Sequence, residues 1–567
     1  MSLQNDNNNK NIIIAVLAFF IITFSVDYFF NTNKNVNNNE QQQVTKTEKV
    51  NKETNNKTEN NKVLTVEEAL LQTPRASISN DNIKGSINLK GGIIDNISLN
   101  NYKETLDKDS KNVSILLPKG SKSEYYFAIE YKDITNNNNV SINNVWNPQD
   151  ENNKNEAKIK TVTENNLEIE RTVKVDDKYL ITITDKITNK SDHPVTISKS
   201  SSITRSKPKM YDYAVIHEGL VINSDNKVNE IKYSKFKNNE TLKNCEWFGF
   251  TDAYWLCAII NNTNNTNVEY SKKSEDTYNI QSSSDYIISI DKGNTTEISY
   301  NIFVGPKDIN LLNEYKNKLK IDKFDMAIDF GWFFIITKPL TQLVGILGNW
   351  FHNMGFVILL LTILFRLLTY PLMKKSFVSM AKMRKIQPRI TQLQKLYSND
   401  KMRLNQELVA IYRKENISPL SGCLPMLLQA PIFFCLYKVF FLTISMRHAP
   451  LFGWVKDLSA PDSCYLFSLF GLIDWTPPSF LQIGLWPLIM GATMFIQQKM
   501  TSTTSNVKTD KTPEQKAQEK MMLFMPILFT YICASFPVSI VVYWTISNII
   551  GIIQQKYVNN QISKTIN

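Results

Sequence analysis

Hydrophobic and polar positions divide this chain into stretches that call for different elements. Residues Ile12–Phe30 form one apolar run, interrupted near its end by Thr23, Ser25 and Asp27. That length predicts an uncleaved membrane anchor over 1–30. Residues 31–62 are Asn, Gln, Lys and Glu with almost nothing to bury, as expected of a disordered linker. From 63 to 325 the apolar positions alternate. Leu167, Ile169, Val173 and Val175 share one parity, Asp176-Asp177-Lys178 makes a turn, and Tyr179, Ile181 and Ile183 continue beyond it. A hairpin with one buried face follows, and similar short strands between Asn-rich turns predict a β-sandwich domain over 63–325.

Beyond 330 the apolar residues run together. Residues 326–352, broken by Lys338-Pro339 and glycines, read as an interfacial amphipathic helix. Transmembrane helices are predicted over 353–371, 422–446, 484–500, 521–536 and 538–555, the first ended by Pro371. With the anchor they make six. Between the first two, residues 374–416 have helical spacing instead. Met383, Ile386, Ile390, Leu393 and Tyr397 step by 3 and 4, and Leu404, Leu408 and Ile411 resume the seam after a Ser398-Asn-Asp turn. Two antiparallel helices zipped along that seam are expected, with Pro388 kinking the first.

Charge orients these segments. Lys374–Glu415 carries eleven Lys/Arg against three acids, and Lys499–Lys520 carries five against three. The loop 447–483 has Arg447 and Lys456 against Asp457, Asp462 and Asp474. The positive-inside rule puts the hairpin, the loop 501–520 and the tail 556–567 in the cytoplasm. Both termini then lie inside and the β domain outside. The net charge of +11 is accounted for largely by this bias and does not call for a direct nucleic-acid function.

One residue conflicts with its surroundings. Arg366 lies in Gly355–Tyr370, an otherwise apolar run, and a guanidinium keeps its charge at physiological pH. At a bilayer centre it costs from about 3 to more than 10 kcal/mol. Either it snorkels from a helix end near Pro371 or it faces a polar cavity. Thr362 shares its face one turn earlier, and Gln429, Gln497, Gln498, Trp544 and Asn548 add polar groups to other spans. The hairpin's Lys382, Arg384, Lys385 and Arg389 make a basic surface suited to acidic lipid, ribosomal RNA or a nascent chain. Six cysteines show no CxxC pair, and whether Cys245 and Cys257 pair stays open. The four histidines are too scattered for a metal site, and no GxxxxGK[ST] motif is present. No cofactor and no catalytic constellation are expected.

Residues 330–555 resemble the YidC/Oxa/Alb family of membrane protein insertases. The match rests on Phe330-Gly-Trp-Phe, Arg366-Leu-Leu-Thr-Tyr-Pro-Leu372, Met380-Ala-Lys-Met-Arg384, Ile386-Gln-Pro388, Pro419-Leu-Ser-Gly-Cys-Leu-Pro425, Gln429-Ala-Pro-Ile-Phe433, Asp457-Leu-Ser-Ala460, Gln498-Lys-Met500, Phe524-Met-Pro-Ile527 and Tyr543-Trp-Thr-Ile-Ser-Asn548. Gly91-Gly-Ile-Ile-Asp95, Asp252-Ala-Tyr-Trp255 and Phe303-Val-Gly-Pro-Lys307 are similar to the periplasmic domain of Gram-negative members. The resemblance implies a five-helix insertase core with a hydrophilic groove, a periplasmic β-supersandwich and a bacterial inner-membrane location. It places the groove arginine at Arg366, with Thr362, Gln497 or Gln498, and Trp544 as groove neighbours. Implied partners are nascent membrane proteins, the Sec translocon with its SecDF complex, the ribosome and acidic lipids. Ser418 and Ser421 depart from residues common in the family, and the short tail puts tail-mediated ribosome binding in doubt. A transporter or channel using the same cavity is the competing class, although no internal repeat supports it. A periplasmic enzyme rests on fold analogy alone.

Overall fold

The computed structural model describes residues 64–134, 138–139, 144–149, 153–208, 216–236, 239–261, 266–415, 417, 424–501 and 513–566. The expected anchor and linker (1–62) and Cys423 lie outside the described residues. The chain divides into two compact units, a β unit within residues 64–305 and a helical unit that takes in 324–566.

The β unit opens with a short helix, α1 (Val66–Leu71), started by a reciprocal capping box between Thr65 and Glu68. Two large sheets follow, one of ten strands and one of nine among the described residues. The hairpin expected from parity forms: Leu167–Val175 pairs antiparallel with Leu180–Asn189, with Val175 opposite Ile181 and Val173 opposite Ile183. Odd-numbered residues of both strands are buried, because successive side chains point to opposite sheet faces. Tyr179 falls in the turn rather than the strand, yet is buried.

The same parity buries a charge pair. Arg171 and Asp185 stand opposite each other across the hairpin and join through two hydrogen bonds of 2.7 Å. Asp185 also accepts from the Tyr131 hydroxyl (2.6 Å), which comes from the other sheet. Arg171 donates to the Gly92 carbonyl (2.8 Å) and lies over the Trp146 ring. The pair thus links the two sheets through the core.

Cys245 and Cys257 are free, buried thiols. Cys257 stands opposite Phe250, five residues along the strand from Cys245, or roughly 16 Å at the usual strand rise. No disulfide spans that distance. Burial pushes the Cys245 thiol up to about 11 and the Cys257 thiol to about 12, so neither is poised for reaction.

The helical unit comprises α2 (Ile309–Leu319), α3 (Phe334–Phe351), α4 (Met354–Leu396), α5 (Lys401–Lys414), α6 (Leu424–Leu442), α7 (Leu485–Thr501), α8 (Pro513–Cys533) and α9 (Val538–Ile566). The interfacial element is shorter than expected: a 3-10 turn at Phe324–Ala327 precedes α3. Thr337, Leu340, Thr341 and Val344 bury one face of α3, while Trp332 and Ile335 just before and within it are exposed. Asp325 holds this region together between Lys316 of α2 (3.0 Å) and Lys338 of α3. Burial alone would raise its pKa, but hydrogen bonds from the two lysines outweigh that and hold the carboxyl below its usual range.

The expectation that Pro371 ends a helix is corrected. α4 runs unbroken for 43 residues through Pro371 and Pro388, so the expected span 353–371 and the first hairpin helix are one element. An interior proline costs about 3 kcal/mol. The continuation past it buries Met373, Phe377 and Met380 against Val558 of α9, each worth about 1.5–3 kcal/mol, so packing wins. The same cluster explains why α9 continues to Ile566 rather than giving way to a tail at 556. The hairpin seam is observed, with Ile390 and Ile411 buried and α5 packed on α4. By length and apolar composition, α4 and Val538–Ile562 could cross a membrane; the apolar helices Leu427–Leu442 and Leu523–Cys533 are shorter.

Candidate functional site

α9 is the centre of the helical unit and touches α4, α6 and α7. Its sequence puts Tyr543, Ser547, Gly551 and Gln554 at steps of 4, 4 and 3, which align on one helical face. That face meets Arg366. The arginine is 7% exposed and its Nε donates to the Ser547 hydroxyl at 2.9 Å. Gln554 donates its amide N–H to the Arg366 carbonyl (3.4 Å). No carboxylate makes an ion pair with Arg366 among the described residues.

Gly551 makes this approach possible. A Cβ there would lie 2.9 Å from the Gln497 amide nitrogen and 3.3 Å from both terminal nitrogens of Arg366. Gly551→Ala is therefore expected to displace the guanidinium or Gln497, at the about 1–3 kcal/mol typical of overpacking. Lower thermal stability of the purified chain together with weakened insertion would be the readout; an unchanged chain on both counts would show the contact to be slack.

Two turns back along α9, Gln429 of α6 donates to the Tyr543 hydroxyl at 2.8 Å. Trp544 packs its ring on Phe433 (4.9 Å between centroids) and Phe529 (5.6 Å). On the side towards α7, Asn548 donates to Thr493 (3.3 Å) and Gln555 to the Met500 carbonyl (3.1 Å). The amide oxygens of Gln498, Gln554 and Gln555 are buried with no donor among the described residues.

Of the residues singled out by sequence, Arg366 and Gln497 meet around Gly551, and Gln429 and Trp544 line the neighbouring turns. Thr362 does not join them as an open polar group: it is fully buried and its hydroxyl donates to the Ile358 carbonyl of its own helix (2.6 Å). Gln498 is adjacent in sequence to Gln497 but has no hydrogen bond to Arg366. The sequence reading missed Tyr543, Ser547, Gly551 and Gln554. The signal was their common spacing within one apolar helix. Lys438 was missed as well: it lies buried in α6 and pairs with Asp329 at 2.6 Å.

In the hairpin, Lys382, Lys385 and Arg389 are exposed, and the Lys382 ammonium reaches the Glu415 carbonyl at 3.5 Å. Arg384 is half-buried with an Nε that has no acceptor among the described residues, and burial lowers its pKa.

Two helices long and apolar enough to cross a membrane, a cation with no carboxylate partner among the described residues and a two-sheet β unit in the same chain point to the class of membrane proteins that carry an internal polar site and a folded β domain. The family described as 60Kd inner membrane protein matches residues 346–565, and the YidC periplasmic domain matches 75–343. The membrane protein insertase YidC of Rickettsia prowazekii (strain Madrid E) is 36% identical over 569 residues, covering 98% of this chain and 99% of its own. That of Beijerinckia indica subsp. indica is 38% identical over 511 residues, covering 87% and 83%. A solved active YidC insertase with its first transmembrane domain resolved aligns with 84% of this chain and 91% of its own, at 18% identity and a TM-score of 0.35. This chain belongs to the YidC family of membrane protein insertases. It is a non-enzymatic inner-membrane protein with a periplasmic β-sandwich and a helical membrane core.

Proposed function

We propose that this chain inserts nascent membrane proteins through a wet groove centred on Arg366. The observation that carries the reading is a buried guanidinium with one side-chain hydrogen bond and no counter-ion among the described residues. Arg366 lies twelve residues into α4, about 18 Å from its start, which is more than half of a ~30 Å apolar layer. The continuation of α4 past Pro371 and the 7% exposure of Arg366 weigh against snorkelling from a helix end. A passing carboxylate would supply the missing counter-charge, and water would satisfy the buried amide oxygens of Gln498, Gln554 and Gln555.

Apolar transfer into lipid is already downhill, so the obstacle is the polar flank. A groove that holds water part of the way shortens the dry path for that flank. Arg366 attracts an acidic one while the apolar segment leaves sideways into lipid. The membrane potential can add drive to this step.

In this reading six spans, including Ile12–Phe30, place both termini in the cytoplasm. The loop between α6 and α7 then lies on the periplasmic side. Lys382, Arg384, Lys385 and Arg389 present a basic hairpin surface to acidic lipid or ribosome. Cooperation with the Sec translocon and SecDF belongs to the same proposal. Photo-crosslinkers placed at Gln429, Gln497 and Trp544 during translation of a short membrane protein test the groove. Adducts with the nascent chain at these positions, and none from exposed Leu71 in the β unit, are expected. Adducts of equal yield at Leu71, or solute flux through proteoliposomes without peptide insertion, would overturn the reading.

A further inference from the structure

The segment between α6 and α7 is built in two dissimilar halves. The first is held by polar contacts. Asp462 is buried and accepts from the Trp454 ring N–H (2.8 Å), the Cys464 N–H (3.0 Å) and the Trp486 N–H (2.7 Å) at the start of α7. Leu458 and Ala460 accept from Ser539 and Val538 at the start of α9. This half therefore sits where α7 and α9 begin.

The second half, Tyr465–Ile483, projects from a pinned base. Tyr465 bridges Gly484, Leu466 donates to the Ile483 carbonyl (2.9 Å), and Leu485 donates to Cys464 (3.0 Å). Its outward side chains are apolar: Phe467, Leu469, Phe470, Leu472, Trp475 and Phe480 are all exposed, Leu472 to 86%. Asp474 is its sole charged residue. Leu469 and Phe470 both hold left-handed backbone conformations, φ 47° and 58°, which β-carbon-bearing residues rarely adopt. Strained backbone that turns leucine and phenylalanine into water gains nothing there; against acyl chains it does.

The backbone also suits a water-poor setting. The N–H groups of Phe470, Leu472, Ile473 and Trp475 are all bonded within the segment. In an apolar layer each unsatisfied group would carry a large cost, so internal pairing is a requirement for entry. α7, α8 and α9 expose apolar side chains of their own, among them Phe495, Ile527 and Ile553.

We propose that Tyr465–Ile483 is an interfacial wedge whose apolar side chains insert into the bilayer leaflet at the end of the core where α7 and α9 begin. Trp475 and the phenylalanines occupy the headgroup–acyl boundary, where aromatic rings are favoured, and Leu472 reaches below it. The occupant is lipid, with no specific headgroup required, since the segment offers no cation to recognise one. The inference rests on the membrane placement of the helical core, so the test must read that placement separately.

An environment-sensitive nitrobenzoxadiazole label is attached to Leu472→Cys, Ile527→Cys or Leu71→Cys in the full chain, each in a Cys464→Ser background with the label-treated parent subtracted. The proteins are reconstituted in phosphatidylethanolamine–phosphatidylglycerol vesicles. Leu71 is 87% exposed in the β unit and reports water, whereas Ile527 on α8 reports the core. Lipid-borne nitroxides are expected to quench labels at 472 and 527 but not at 71, and aqueous iodide the reverse. Quenching at 472 should be stronger from a shallow nitroxide than from a deep one. If 527 responds to lipid while 472 is quenched by iodide like 71, the wedge is wrong and the membrane core stands. A label at 472 shielded from both quenchers would mean protein covers the segment, which also overturns the proposal. Loss of lipid quenching at 527 would overturn the core placement and the wedge with it.

Discussion

Insertion of a substrate whose translocated flank carries aspartate is expected to fall roughly tenfold or more when Arg366 is replaced by alanine, and to fall far less when the flank is neutral. At an effective dielectric constant of about 20, a guanidinium and a carboxylate about 6 Å apart attract by about 2.8 kcal/mol. That corresponds to roughly 100-fold in an equilibrium constant, and groove water reduces it. Arg366→Lys separates charge from shape. The ammonium keeps the charge but cannot reproduce the guanidinium, which donates from Nε to Ser547 while both terminal nitrogens face Gly551. Protease protection of a short substrate in proteoliposomes reads each variant. Equal insertion of acidic and neutral substrates by the alanine variant would remove the charge from the mechanism, and rescue by lysine would make charge alone sufficient.

The largest stability effect is expected in the β unit. Asp185→Ala leaves Arg171 buried, at 1% exposure, with its charge uncompensated, and should cost about 3–5 kcal/mol. The Tyr131 hydroxyl loses its acceptor in the same step. Replacing both partners with apolar residues, Arg171→Met with Asp185→Leu, should cost clearly less, because no orphaned charge remains. Hydrogen exchange of the Leu167–Val175 and Leu180–Asn189 strands in the full chain measures both variants. If the single substitution destabilises no more than the double, the pair is not what links the sheets.

The Arg171–Asp185 pair also shows how far residue order reaches. Strand parity and the Asp176-Asp177-Lys178 turn set the hairpin register, and that register already puts residues 171 and 185 opposite each other on the apolar face. Two charges at core positions were therefore legible. Their partners were not: Gly92, Tyr131 and Trp146 arrive from strands and loops far along the chain. The site in the helical unit follows the same division. Arg366 is conspicuous because it is a permanent charge in an apolar run. Ser547, Gly551 and Gln554 are individually unremarkable in a sequence and gain meaning from the helix that passes in front of them.

Local pattern misjudged Pro371 for a related reason. Pro371 reads as a stop because its cost is local, while the burial of Phe377 and Val558 that outweighs it is made between helices. Thr362, one turn before Arg366, is buried like it, and its hydroxyl is satisfied by the Ile358 carbonyl of its own helix.

Residue order alone carries everything governed by period and composition: an alternating β unit, an apolar helical half, a basic hairpin, a permanent charge in an unfavourable place, and enough ordered motifs to imply the family. Those signals are carried by neighbours within a few turns or strand steps. The tertiary structure alone decided which polar groups meet, which prolines are overridden, and which apolar side chains remain uncovered between α6 and α7. Each of these depends on free energies between segments far apart in the chain, for which residue order carries no distance.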